Sequence, residues 1–68
     1  MSLDYEKLSK ALSELEFEFG NKDAWAMITE ESGVHNLKNM AEGRIKTTIE
    51  SWQQLHKAFP DKIPPPQN

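Results

Sequence analysis

The chain has no cysteine, only three glycines, and eight basic side chains against eleven acids in 68 residues. Without thiols, disulfide staples and Cys-based metal sites are excluded, which fits a reducing compartment. The two histidines, His35 and His56, are widely separated and make no metal site on their own. No apolar run approaches the length of a bilayer span and no signal-peptide pattern opens the chain, so the expected location is the cytoplasm. A net charge of −3 argues against a general nucleic-acid binder. A chain this short holds one domain with a limited core.

The charge is unevenly spread. Residues 1–32 carry three lysines against eight acids, whereas Gly33 to Thr47 carries Lys38, Arg44 and Lys46 against Glu42 alone. The remainder balances, with Lys57 and Lys62 against Glu50 and Asp61. A mildly basic segment thus sits inside an acidic domain. Composition alone reads it as ordinary solvated charge.

Helical spacing dominates what is present. From Asp4 to Phe19, Tyr5, Leu8, Leu12, Leu15 and Phe19 step by three or four residues and predict one amphipathic helix. Phe17 falls opposite Leu8 and is either drawn in at the helix end or left exposed. Gly20-Asn21 ends the helix, and Asp23 is a natural N-cap for a second one, roughly Ala24 to Glu31. Ala24, Trp25 and Ile28 face inward there, with Met27 at their flank. Ser32-Gly33-Val34 reads as a tight turn with an apolar anchor. A short third helix follows from about Asn36 to Ala41, stopped by Gly43. Thr47 or Thr48 caps a fourth, whose inward stripe is Ile49, Trp52, Leu55, His56 and Phe59, and Pro60 closes it. The expected core is Leu8, Leu12, Leu15, Ile28, Val34, Leu37, Met40, Ile49, Trp52, Leu55 and Phe59. Residues 1–60 form the domain in this reading, and the Pro-rich 61–68 an extended tail or linker. No strand pattern and no repeat is evident.

Two helices joined by a short Gly-containing turn are a weak signal alone. The string Ile28-Thr29-Glu30-Glu31-Ser32-Gly33-Val34-His35 adds specificity. It resembles the second helix and turn of the lambda-repressor and Cro-like (Xre-type) helix-turn-helix regulators of phages and prophages. Gly43 to Phe59 is similar to the same family's run from the end of its recognition helix through its fourth helix. Thr47 stands where the family usually has proline, and Trp25 where it usually has glutamine. Gly33 and Gly43 stand ten residues apart, a shorter interval than the family usually shows.

The resemblance implies an all-α, lambda-repressor-like bundle of four to five helices containing a helix-turn-helix. It implies a sequence-specific DNA-binding domain of a repressor-type transcriptional regulator, with the third helix reading the major groove. The partner would be double-stranded operator DNA, bound as a homodimer held together through a region outside this chain. Neither a membrane nor a small-molecule substrate is expected. On this footing Asn36 and Asn39 present amides to adenine, and Lys38 reaches a guanine edge or a phosphate. His35 first caps or lines the turn, with base contact second. Lys22, Arg44, Lys46, Thr47 and Thr48 form a phosphate clamp with the N-termini of helices two and four.

Each of these polar residues has a plain alternative as an ordinary exposed side chain. Trp25 and Trp52 read as core rather than a stacking platform, and His56 as a core-edge histidine. Glu14, Glu16 and Glu18 read as a solvated face. No nucleophile, base and orienting group assemble and no glycine-rich phosphate loop exists, so neither an enzyme nor a cofactor site is expected. The competing function keeps the fold but uses the acidic first helix and Phe17 to bind a protein, as an antitoxin or anti-repressor does.

Overall fold

A computed structural model describes residues 4–66. It contains four α-helices and, among the described residues, no strand. Helix α1 (Tyr5–Phe19) starts at Asp4, whose Oδ1 accepts from the Lys7 amide at 3.0 Å. Glu6 in the first turn complements the positive helix end. Gly20, at φ 67°, stops the helix, and its N–H closes onto the Glu16 carbonyl. Leu8, Ala11, Leu12 and Leu15 are buried along one face. Phe17 points away from it and is 86% exposed.

Helix α2 (Ala24–Ser32) begins differently from expectation. Asp23 occupies the N-cap position, but its carboxylate makes no capping bond. Its backbone (φ −99°, ψ 16°) is not the extended conformation from which a capping side chain reaches back to the helix amides. Asn21 instead accepts the Asp23 N–H at 2.8 Å, an Asx turn that steers the chain into the helix. At the other end Gly33 (φ 76°) donates to Thr29 O at 2.7 Å. Ser32 Oγ donates to Ile28 O at 2.7 Å and accepts from the Val34 amide at 3.2 Å.

Helix α3 is only Leu37–Ala41, one residue shorter at its start than the spacing predicts, because Asn36 is left-handed (φ 62°). Its C-terminus is a Schellman closure: Arg44 N–H reaches Asn39 O at 2.9 Å, Gly43 N–H reaches Met40 O at 3.2 Å, and Gly43 takes φ 80°. Helix α4 (Ile49–Ala58) is capped by Thr48, whose Oγ1 accepts from the Ser51 amide at 3.1 Å.

α1 packs against α2 and α3, and α2 against α3 and α4. The long rings of Tyr5–Trp52 (5.8 Å) and Phe19–Phe59 (6.2 Å, edge-to-face) bridge α1 to α4 and its C-cap. The core contains nine of the eleven residues expected from the sequence, and Ala11, Ala24 and Ile63 join them. Ile49 is a correction, at 51% exposure. It lies on the stripe of Trp52 and Leu55 but one turn earlier, in the first turn of α4. Phe59 is half-buried rather than central.

The tail is the second correction. Phe59 O accepts from Lys62 and Ile63 amides, turning the chain back so that Ile63 is fully buried. Trp52 Nε1–H donates to Pro64 O at 2.7 Å, and His56 Nδ1 lies 2.6 Å from Ile63 O. A carbonyl only accepts, so Nδ1 carries the proton in that contact. The chain therefore belongs to the bundle through Pro64, not merely to residue 60. Gln67 and Asn68 of the expected tail lie outside the described residues.

Candidate nucleic-acid interface

The turn between α2 and α3 is built by residues of opposite kinds. Gly33 supplies the left-handed conformation, and Val34 plugs the space beneath at 3% exposure. Leu37 and Met40 then anchor α3 to the core. With those two faces committed, the outer edge of α3 is left to His35, Asn36 and Lys38, all exposed, and Asn39, half-buried. Ser9 Oγ on α1 donates to Met40 O at 3.0 Å, fixing the end of α3 to α1. Sequence reasoning assigned Ser9 no task. Its i, i+4 relation to Tyr5 on one side of α1 was the available signal.

Beyond Gly43, Arg44 is exposed and sits 3.3 Å from Glu42. The Lys46 ammonium lies over the Tyr5 ring, 5.6 Å from its centroid. Tyr5 leans in turn on Trp52, so Lys46 is positioned by the core through two rings, a role the sequence did not reveal for Tyr5. Thr48 is exposed, and its hydroxyl is occupied with Ser51. Thr47 is 4% exposed. Buried so far, Thr47 is withdrawn from any phosphate, contrary to expectation.

The clamp is not one cluster. Lys46 is placed at the first turn of α1, while Lys22, exposed, follows its last turn. A fifteen-residue helix separates those ends by roughly 20 Å. Lys38, Arg44 and Lys46 share the region around α3, and Lys22 stands apart at the start of α2. Charge there is balanced: residues 22–47 hold Lys22, Lys38, Arg44 and Lys46 against Asp23, Glu30, Glu31 and Glu42, four of each sign. Among the described residues, no group of three or more His, Asp or Glu side chains is arranged to hold a metal ion. Among the same residues, no helix is long and apolar enough to cross a membrane.

No family model, curated protein or solved structure matches this chain.

Proposed function

We propose that the chain is the DNA-binding domain of a repressor-type transcriptional regulator, with α3 in the major groove of its operator. The observation that carries this reading is the α2–turn–α3 unit. Gly33 is left-handed, Val34 is buried beneath the turn, and Asn36 ahead of α3 and Lys38 on it are exposed, with Asn39 half-buried beside them. Asparagine amides match adenine, and lysine matches the guanine edge or a phosphate. Arg44 and Lys46 follow α3 and suit the flanking backbone, whose contacts position the domain without reading sequence. Lys22, exposed just ahead of α2, suits a second phosphate. Two copies on a palindromic operator would double these contacts.

The test is selection from a random duplex pool at low salt, followed by titration of the enriched sequence against a scrambled one. Enrichment of a palindrome whose binding depends on Lys38 and Asn39 supports the proposal, and no enrichment overturns it. The balanced charge of residues 22–47 and the exposure of Phe17 favour a second reading, a protein-interaction module of the same fold. Under that reading the selection returns nothing, while a protein complex depends on Phe17.

A further inference from the structure

At the far end of α1, three shallow grooves run into one another. The edge-to-face pair Phe19 and Phe59 forms a floor shared by two of them. One groove extends past Met27, itself 43% exposed, to Glu30 and Glu31. The other is bounded by Glu18 and Lys62, which it shares with the third groove, beside Phe17 and Glu14. The result is an apolar strip, Phe19–Phe59–Met27, with Phe17 on the far side of the Glu18–Lys62 pair; Ile45 and Ile49 are also exposed, elsewhere on the domain.

Its rim is acidic. Glu14, Glu18, Glu30 and Glu31 face Lys10 and Lys62. Lys62 is already committed, with its ammonium 2.7 Å from Glu18 Oε1. The Glu18 hydrogen bond and charge raise its pKa above the usual lysine value, and Asp61 and Glu14 push the same way. The surplus of the rim is therefore negative. The strip lies beside Lys22, whose neighbour Asn21 reaches Met27 Sδ at 3.5 Å, but away from α3 and the cations around it. Ser9 touches α3 and Tyr5 carries Lys46, whereas Phe17 lies eight residues beyond Ser9, about 12 Å along the helix.

We propose that this strip docks a cationic amphipathic helix of a partner protein, its apolar face on the phenylalanines and Met27 and its lysines or arginines on Glu14, Glu30 and Glu31. Such a helix offers anchors at i, i+4 and i+7 to a groove of this kind. A second copy of this chain brings a rim of the same net negative charge, so a two-fold contact gains no charge complementarity. A stable dimer also needs about 800 Å² per partner, a sixth of the 4815 Å² surface. DNA is repelled by the same carboxylates. The inference rests on the second reading above, in which Phe17 carries a protein complex, and not on α3 entering a major groove.

The experiment titrates the ¹⁵N-labelled 68-residue chain with a synthetic amphipathic leucine/lysine peptide of about four helical turns. A leucine/glutamate analogue is the control. Saturable amide shifts are expected at Phe17, Phe19, Met27 and Phe59 with the cationic peptide alone. Phe17→Ser should weaken binding about tenfold, and the Glu30→Gln/Glu31→Gln pair several-fold, with melting unchanged for both because these side chains are exposed. The proposal is overturned by equal binding of both peptides, or by shifts centred on α3. It is overturned equally by shifts on the strip that follow protein concentration without peptide, or that follow added duplex DNA.

Discussion

Arg44 and Glu42 are exposed, at 72% and 42% for their side chains, and such pairs contribute about 0–1 kcal/mol. A phosphate therefore competes easily for the guanidinium, while Glu42 stays behind as a charge that repels the DNA backbone. Glu42→Gln is expected to tighten binding to all duplexes alike, read as a parallel gain on operator and scrambled DNA. Lys38 and Asn39 sit on the edge of α3, so their alanine variants should lose about 1–3 kcal/mol on the operator and little on random DNA. Arg44→Ala and Lys46→Ala should weaken both sequences. If Arg44→Ala changed sequence preference and Asn39→Ala changed nothing, the assignment of α3 to the bases would be wrong. Lys62 gives a pH prediction independent of DNA. Its raised pKa means that the Glu18 ion pair contributes fully below the ordinary lysine value, and that the contribution is lost as pH rises through the folded value. Glu18→Gln should lower the Lys62 titration midpoint measured by NMR, and the stability difference from the parent should vanish at high pH. An unchanged midpoint would contradict the contact.

At the scale of elements, the interval from Gly33 to Gly43 explains the brevity of α3. Two residues with positive φ, Asn36 and Gly43, bracket five helical residues, about 7.5 Å of helix. So short a helix offers few side chains to a groove, and the proposed specificity has to be concentrated in them. Gly33 has nothing within 4 Å of where a Cβ would stand. Gly33→Ala therefore carries no clash, only the left-handed backbone penalty of about 1–2 kcal/mol. Asn36→Gly, at the left-handed position that a non-glycine residue holds, should be tolerated. Urea midpoints of the two variants check this, and a neutral Gly33→Ala would mean the turn is not strained by a side chain. The helices themselves were legible in the sequence. Leu8, Leu12 and Leu15 on α1, and Trp52 and Leu55 on α4, repeat at the helical period, and Gly20, Gly33 and Gly43 mark the stops. The start of α2 was not, because Asp23 is a capping type and only its backbone angles show that it makes no capping bond, the Asx turn at Asn21 steering the chain instead. Thr47 and Thr48 posed the same ambiguity, and one is buried while its neighbour caps.

For the whole molecule, the least legible feature was closure. Ile63 is a lone apolar residue beside prolines, with no periodicity to assign it, yet it completes the core under His56 and Trp52. Ile63→Ala should cost about 2–5 kcal/mol, a large fraction of what a domain this size has, and thermal melting would show it. A loss below half a kcal/mol would return the segment to the status of a tail. Charge placement is likewise a property of the whole. The candidate interface can offer a duplex four cations at most, Lys22, Lys38, Arg44 and Lys46, with Lys22 remote from the rest. Counterion release then limits the slope of log K against log salt to about −3.6 for one copy and about −7 for two. Between 50 and 200 mM salt a monomer should lose roughly two orders of magnitude in affinity, and a dimer roughly four. Titration of the isolated chain at several salt concentrations separates these cases, because the slope counts phosphates regardless of sequence. A slope near zero would remove phosphate contact from the proposal. A slope well beyond −4 from a demonstrated monomer would mean that Lys7, Lys10 or Lys57 also reach the backbone, and that the duplex lies across a different face.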